Sequence, residues 1–294
     1  MQKWQHIPIL AQTIKELLIT DKEGLYVDGT LGLGGHTKIL LSALGPKGRI
    51  FGFDKDEKAI QMAKENVADS RLTAFNLSYL EIEKILKENN IPGVNGVLFD
   101  LGLSSYQLDD ASRGFSFINQ GPLDMRFDTK QTLTAKIIVN TWPADEIEKI
   151  LVDYGEEKFA SKIAQAIVLA AREEPIETTW QLAKIVENVC PRTSKTHPAT
   201  RTFQALRIAV NDEFGAVRNA PKLLDKILLP GGRAAFLTFH SLEDRIIKNA
   251  LKDLCQNKDS WQLVNKKVID PSWQEIKQNT RARSAKLRII ERLK

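Results

Sequence analysis

The sequence has very little cysteine and lacks any long apolar run. Its 294 residues include two cysteines, Cys190 and Cys255, and no CxxC pair. Two distant cysteines argue against a disulfide framework or a cysteine zinc site, and they fit a reducing compartment. No stretch approaches the run of about 18 apolar residues that can cross a bilayer. We therefore expect a cytoplasmic protein with no membrane partner. The histidines show no metal-ligand spacing with carboxylates, so no metal site is predicted.

The overall charge excess is small. Hydrophobic residues make up 43% of the chain and charged residues 27%, which allows a sizeable core and excludes wholesale disorder. There are 42 Lys+Arg against 37 Asp+Glu, for a net charge of +5. This excess permits a polyanionic partner without requiring one, so the location of the basic residues must decide.

Short β-rich runs in the first third predict buried parallel strands. They cover residues 25–27, 49–53 and 94–99, and each is followed by an aspartate: Asp28, Asp54 and Asp100. Helical patterns at residues 37–44, 57–68 and 80–89 lie between or beside these runs. Alternation of strands and helices is typical of a doubly wound α/β sheet.

This alternation is interrupted over about one hundred residues. Residues 109–132 read as a structured loop, and helical patterns follow to residue 189. Strand character returns at residues 233–239, 261–269 and 285–291. The simplest organisation is a Rossmann-like α/β domain of residues 1–105 and 206–294. A mainly helical substrate-recognition insertion would occupy residues 106–205.

A glycine-rich loop joins the first predicted strand to the first helix, with the sequence DGTLGLGGH at residues 28–36. A dinucleotide fingerprint that starts at Gly32 requires glycine where Thr37 stands, which argues against an oxidoreductase. A looser G-x-G preceded by Asp28 fits S-adenosyl-L-methionine, with Asp54 as an acceptor for ribose hydroxyls. Thr30 departs from the pattern, because many such enzymes carry glycine there. The alternative is that the glycines only form a tight turn.

The loop after the third aspartate carries the candidate chemistry. Asp100 and the hydroxyls of Ser104 or Ser105 could accept N–H groups of an exocyclic amine and so favour its localised lone pair. His240, which ends a late strand, could contact the substrate. Each also has a structural alternative: Asp and Ser commonly cap turns and helices, and a histidine at a strand end is often a hydrogen-bonded structural residue.

The pattern as a whole resembles the MraW family of bacterial ribosomal RNA small subunit methyltransferases H over nearly its full length. The matching stretches are residues 6–10, 28–36, 53–56, DLGLSSYQLDDASRGFSF at 100–117, GPLDMRFD at 121–128, RTFQALRIAVNDE at 201–213, 231–248 and RARSAKLRIIER at 281–292. Tyr106 stands in place of a frequent proline, and Ala11 and Gln12 replace more usual residues.

The resemblance implies a class I methyltransferase that uses S-adenosyl-L-methionine. Its implied target is N4 of a cytidine in the decoding region, the P site, of 16S ribosomal RNA. By motif position, the implied cofactor contacts are Gly34, Gly35, His36, Asp54, Tyr79, Asp100 and Gln107. Two alternatives stay open, a ribosome-assembly factor that binds RNA on the same fold and a nucleotide-dependent oxidoreductase.

Two basic clusters give the positive charge a location. The first lies near the end of the insertion and the second near the C-terminus, and their candidate RNA-binding residues are Arg192, Lys195, Arg201, Arg207, Arg281 and Arg283. Such clusters fit phosphate contacts, although a solvated basic face is the alternative. Phe115, Phe117 and Phe127 are expected either to stack on a base or to anchor the loop in a core. The oligomeric state is open, with a homodimer as one alternative.

Overall fold

The computed structural model describes residues 8–190 and 197–294. The chain forms two compact units. The sheet unit comprises the residues up to Gly102 together with those from Phe214 onward, and the helical unit runs from Leu103 to Glu213.

The sheet unit is built on a seven-stranded sheet in the described part of the chain. Its strands are β1 (Leu25–Asp28), β2 (Arg49–Phe53), β3 (Leu72–Phe75), β4 (Val94–Asp100), β5 (Leu228–Thr238), β6 (Trp261–Leu263) and β7 (Lys286–Arg292). Their order is β3-β2-β1-β4-β5-β7-β6, with β1 to β5 parallel and β7 antiparallel to both neighbours. The predicted α/β class is confirmed. An antiparallel β7 between β5 and β6 also departs from the dinucleotide-binding strand order.

The helices of the described residues alternate with the early strands and then dominate the helical unit. They are α1 (Ala11–Leu18), α2 (Gly35–Leu41), α3 (Glu57–Val67), α4 (Ile82–Glu88), α5 (Ser105–Asp109), α6 (Ala135–Thr141), α7 (Ala144–Gly155), α8 (Ala160–Glu173), α9 (Thr179–Val189), α10 (Thr200–Asn211), α11 (Glu213–Ile227), α12 (Ser241–Leu254) and α13 (Trp273–Gln278). Short 3₁₀ helices cover Tyr79–Glu81, Ala111–Arg113 and Thr280–Ser284. No helix in the described ranges is both long and apolar enough to cross a membrane.

Successive residues of the central strands face opposite sides of the sheet, as the two-residue period of a strand requires. Tyr26 and Leu98 pack with residues of α1 and α2 on one side. Val27 and Phe99 pack with residues of α4, α11 and α12 on the other. Both faces are therefore covered, which explains why these strands are largely apolar.

The parallel strands bring their carboxyl ends to one edge of the sheet. The strand order reverses between β1 and β4, and ligands of open α/β sheets bind at such a switch point. Asp28 is the last residue of β1 and Asp100 the last residue of β4, while Asp54 follows β2 directly. The three predicted aspartates therefore lie at the edge where a cofactor is expected.

The helical unit has a hydrophobic core of its own. The loop predicted at residues 109–132 belongs to that core, since Phe115 is buried and its ring centroid lies 5.5 Å from that of Phe127. The Asn211 side chain fixes the same loop, because it accepts from the Phe127 N–H and donates to the Met125 carbonyl, both at 2.7 Å. These contacts agree with the alternative in which Phe115 and Phe127 anchor the loop in a core.

Three strands differ from the sequence expectation, and one of them is β5, which begins at Leu228 and not at the predicted residue 233. No strand was predicted at residues 72–75, where β3 forms a short, half-exposed edge of the sheet. The strand predicted at residues 261–269 ends at Leu263. Beyond it the Asn265 side chain accepts from the Ile289 N–H at 2.7 Å and donates to the Leu287 carbonyl at 3.1 Å. A side-chain amide therefore replaces part of the backbone ladder.

Candidate active site

Asp28 ties together the two ends of the glycine-rich loop. Its carboxylate accepts from the Thr37 hydroxyl at 2.7 Å and from the Thr30 backbone N–H at 3.2 Å. The side chain is buried, and desolvation raises the pKa of Asp28 to about 6, against the lowering effect of these hydrogen bonds. Thr37, which fails the dinucleotide pattern, is thus a structural partner of Asp28.

The loop itself needs glycine at two positions. Gly32 and Gly34 have φ angles of 51° and 78°, in the region that side chains disfavour. A Cβ on Gly34 would also lie 2.5 Å from a methyl carbon of Val67. Gly35 is the first residue of α2, so the chain passes directly from this turn into a helix N-terminus.

Asp54 holds the loop from the neighbouring strand end. One carboxylate oxygen accepts from the Gly32 N–H and the other from the Asp56 N–H, both at 2.8 Å. Burial raises the pKa of Asp54 to about 6, and the charges of Asp56 and Asp28 add to that rise. Each oxygen keeps a second lone pair, so Asp54 can accept further hydrogen bonds from a ligand.

Asp100 is joined to the same loop through its backbone. Its N–H donates to the Thr30 hydroxyl oxygen at 2.7 Å. The threonine that departs from the usual glycine therefore connects the β1 loop to the end of β4, a role that the sequence pattern did not indicate.

The Asp100 carboxyl has an unusual electrostatic environment. Burial raises its pKa to about 8, and the charges of Asp28 and Glu243 contribute to the rise. Its side chain nevertheless keeps 24% of its surface exposed. A carboxyl that is partly exposed and has a raised pKa is a candidate for binding a cation or for accepting a proton.

His36 faces Asp100 from the first turn of α2. Its Nε2 lies 3.1 Å from the Ile9 carbonyl oxygen, which can only accept, so this nitrogen carries a hydrogen. Its Nδ1 lies 4.0 Å from an Asp100 carboxylate oxygen. The ring is buried and contributes a polar wall beside Asp100.

Tyr79 and Asn76 lie on the segment after β3. Tyr79 is 9% exposed, and its ring meets Phe99 edge-on with centroids 5.1 Å apart. The Asn76 amide donates to the backbone carbonyls of Asp54 and Lys55 at 3.1 and 3.0 Å. Asn76 therefore holds the Asp54 turn in place, a positioning role that the sequence analysis did not assign.

His240, a candidate catalytic residue, is the N-cap of α12. Its Nδ1 accepts from the Glu243 N–H at 3.5 Å, and its Nε2 lies 2.9 Å from Glu243 Oε1 without hydrogen-bond alignment. The other oxygen of Glu243 accepts from the Phe239 N–H at 3.0 Å. Both ring nitrogens therefore face the first turn of α12, and the catalytic role of His240 stays a prediction.

Ser104 and Gln107 belong to the helical unit, where they form a capping box on α5. The Ser104 hydroxyl accepts from the Gln107 N–H, and the Gln107 side-chain oxygen accepts from the Ser104 N–H, both at 3.2 Å. The Ser104 hydroxyl therefore caps the N-terminus of α5. The side chain of Ser105 lies outside the described part of the structure.

The predicted RNA-binding residues have different surroundings. Arg201, Arg281 and Arg283 are exposed. The Arg207 guanidinium is already engaged in an ion pair, because it donates to both carboxylate oxygens of Glu213 at 2.7 and 3.0 Å. Arg192 and Lys195 lie outside the described residues.

Comparisons with known proteins agree with this geometry. The model of a family described as the MraW methylase family matches residues 3–293. A ribosomal RNA small subunit methyltransferase H from Elusimicrobium minutum is 57% identical over 294 residues, which is 100% of both chains. Another with the same name, from Halothermothrix orenii, is 40% identical over 98% of this chain and 99% of its own.

A solved structure, a putative rRNA methylase from Clostridium thermocellum, aligns with a TM-score of 0.42 and 16% identity over 96% of this chain and 95% of that chain. The family match confirms the predicted resemblance, the Rossmann-like methyltransferase fold and S-adenosyl-L-methionine as the cofactor, and it contradicts the oxidoreductase alternative. The chain belongs to the MraW methylase family.

Proposed function

We propose that the protein transfers a methyl group from S-adenosyl-L-methionine to N4 of a cytidine in the P-site region of 16S ribosomal RNA. The names of the relatives support small-subunit ribosomal RNA as the substrate class. The observation that carries the chemistry is the partly exposed Asp100 carboxyl at the switch point of the sheet. This substrate would place the protein in the cytoplasm, with the small ribosomal subunit as its partner.

The residues at this edge fit the cofactor. Asp54 has acceptor capacity for ribose hydroxyls, and the turn at Gly34 excludes side chains. The charges of Asp28 and Glu243 act on Asp100, so a cationic ligand would be favoured there. The cofactor supplies a methyl group on a sulfonium, which is a good leaving group.

The chain must then make a poor nucleophile reactive. The lone pair of a cytosine amine is delocalised into the ring, and an acceptor on its N–H favours the localised form present in the transition state. The amine nitrogen must also lose one proton after it gains a methyl group. An ionised Asp100 can serve both needs, and its raised pKa makes it a better proton acceptor than an ordinary aspartate.

The RNA contacts are proposed for the exposed arginines. Arg201 of the helical unit and Arg281 and Arg283 of the sheet unit are exposed, and their guanidinium groups would bind phosphates. The helical unit, which corresponds to the insertion expected at residues 106–205, would then recognise the substrate, while the sheet unit holds the cofactor. Gln107, placed in the helical unit, remains a proposed cofactor contact.

Methyl transfer to purified small ribosomal subunits tests the proposal. The subunits come from cells that lack this methyltransferase, the cofactor carries a labelled methyl group, and the RNA is digested to nucleosides. Label in N4-methylated cytidine of the decoding region is expected. Label on any other nucleoside, or on the cytosine ring carbon, would overturn the proposed specificity.

The matched variant is Asp100→Asn, which keeps the size of the side chain but cannot accept the proton. We expect its turnover to fall about 100-fold or more at saturating cofactor. If Asp100→Asn loses only cofactor affinity, the proton-accepting role is contradicted. A wild-type protein that binds subunits without transferring label would instead support the assembly-factor alternative.

A further inference from the structure

Trp273 is a large apolar residue left in solvent. It is the first residue of α13, and 72% of its surface is exposed. The ammonium group of Lys277, one turn later, lies 5.4 Å from the centroid of the ring. Burial in the core therefore does not explain this tryptophan, while the cation–π pair indicates that its ring is held in a defined position.

The segment that carries Trp273 is firmly anchored. Ser272 and Glu275 form a capping box at the start of α13, and a Glu275 oxygen accepts from the Leu10 N–H at 3.1 Å. The following 3₁₀ helix is fixed by Ala282 and Ala285, which are 0% and 1% exposed. The ring thus stands on a backbone held by buried contacts, so little entropy is lost when a ligand orders it.

Exposed positive charge predominates in the sequence around Trp273. Lys277, Arg281 and Arg283 are exposed within ten residues after it, against one exposed carboxylate, Asp270, three residues before it. The other carboxylate of the segment, Glu275, is engaged in the capping box and in the contact to Leu10. An aromatic ring beside several cations is the combination with which proteins bind single-stranded nucleic acid, because bases stack on the ring and phosphates bind the cations.

We propose that Trp273 stacks on an unpaired base of the RNA substrate, while Lys277, Arg281 and Arg283 contact the phosphates beside that base. This inference rests on the proposed function, since it assumes an RNA substrate. The charge selects RNA over an apolar protein partner. Stacking on the ring face selects an unpaired base over a duplex, whose bases are already stacked.

Binding of two fluorescent RNA probes tests the proposal, a short oligocytidylate and a duplex of the same length. Trp273→Ala should bind the oligocytidylate about tenfold more weakly than the wild type does. Trp273→Phe keeps an aromatic face and should retain most of the affinity. Duplex affinity should be the same for all three proteins, because paired bases offer no free face to the ring.

The matched control is Trp180→Ala. Trp180 is the other exposed tryptophan of the described residues, 52% exposed on α9 of the helical unit. We expect this variant to bind both probes as the wild type does. Thermal melting and cofactor affinity of every variant show whether the fold is intact, and a changed sedimentation state of Trp273→Ala would assign the ring to a contact between two copies of the chain instead.

Methyl transfer separates this inference from the proposed function. Trp273→Ala should raise the KM for small ribosomal subunits several-fold, with kcat and cofactor affinity unchanged. A wild type that makes no N4-methylated cytidine contradicts the proposed function. A normal product combined with an unchanged KM and oligocytidylate affinity in Trp273→Ala overturns the stacking role alone, as does wild-type protein that fails to bind the oligocytidylate.

Discussion

The hydroxyl oxygen of Thr30 accepts a 2.7 Å hydrogen bond from the backbone N–H of Asp100, seventy residues further along the chain. Thr30 also donates its own N–H to Asp28. One side chain therefore joins the ends of β1 and β4, the two strands that flank the switch point. Through this contact, the position of Asp100 depends on the conformation of the glycine-rich loop.

Thr30→Val should weaken cofactor binding and lower stability, because it keeps the shape of threonine but removes the acceptor for the Asp100 N–H. A donor left without its partner costs about 1–3 kcal/mol. Chemical denaturation measures the stability and calorimetry measures the cofactor affinity. Thr30→Ser keeps the hydroxyl and should behave nearly as the wild type. Equal losses in both variants would show that the methyl group, and not the hydrogen bond, matters.

Asp54→Ala should weaken cofactor binding by about 1.5–3 kcal/mol, the usual contribution of a hydrogen bond to a charged group. It should also lower stability, because the Gly32 and Asp56 N–H groups lose their acceptor. Asp54→Asn separates the two effects, since its remaining oxygen can still accept one of these N–H groups. Calorimetry that shows unchanged cofactor affinity in a folded Asp54→Ala protein would remove Asp54 from the site.

The position of these aspartates could be predicted from the sequence, while their connections could not. A short apolar run that ends in an aspartate places Asp28, Asp54 and Asp100 at strand ends by local pattern alone. The Thr30 contact to Asp100 depends on how two strands pair across seventy residues. The contribution of Glu243 to the pKa of Asp100 likewise needs the end of β5 beside the end of β4.

Charge patterns were informative about location but not about pairing. Arg207 and Arg201 look alike in the sequence, yet only Arg207 faces a buried carboxylate, that of Glu213 at the start of α11. The sequence likewise places His240 at the end of a strand but does not show that its ring faces Glu243.

The protein without cofactor should become less stable as the pH rises from about 4 to about 8. The pKa of Asp100 is raised to about 8 and those of Asp28 and Asp54 to about 6. Over this range the unfolded chain has already released protons that the folded chain still holds, so ionisation favours unfolding. Urea denaturation across this pH range measures the trend. In Asp100→Asn the decline should end near pH 6, and an unaltered decline up to pH 8 would contradict the raised pKa of Asp100.

Cofactor binding at neutral pH should release about one proton, because a cationic ligand favours the ionised form of Asp100. The affinity should therefore rise with pH until about pH 8, the pKa of this carboxyl. Calorimetry in buffers of different ionisation enthalpy counts the protons released. Asp100→Asn should release few at pH 7. Equal proton release by both proteins would assign the proton to another group.

Arg207→Ala should destabilise the helical unit by about 3–5 kcal/mol, because it leaves the Glu213 carboxylate buried without its partner. The two side chains are only 14% and 7% exposed, so solvent cannot replace the lost contacts. The double variant Arg207→Met with Glu213→Leu removes both charges and should recover much of the stability. Arg201→Ala, at an exposed site on the same helix, should leave stability nearly unchanged.

The salt dependence of RNA binding then separates the roles of the two arginines. Arg201→Ala should flatten the slope of log affinity against log salt by about one unit, while the folded double variant at Arg207 should keep the wild-type slope. A flattened slope in the double variant would show that Arg207 leaves Glu213 to contact phosphate.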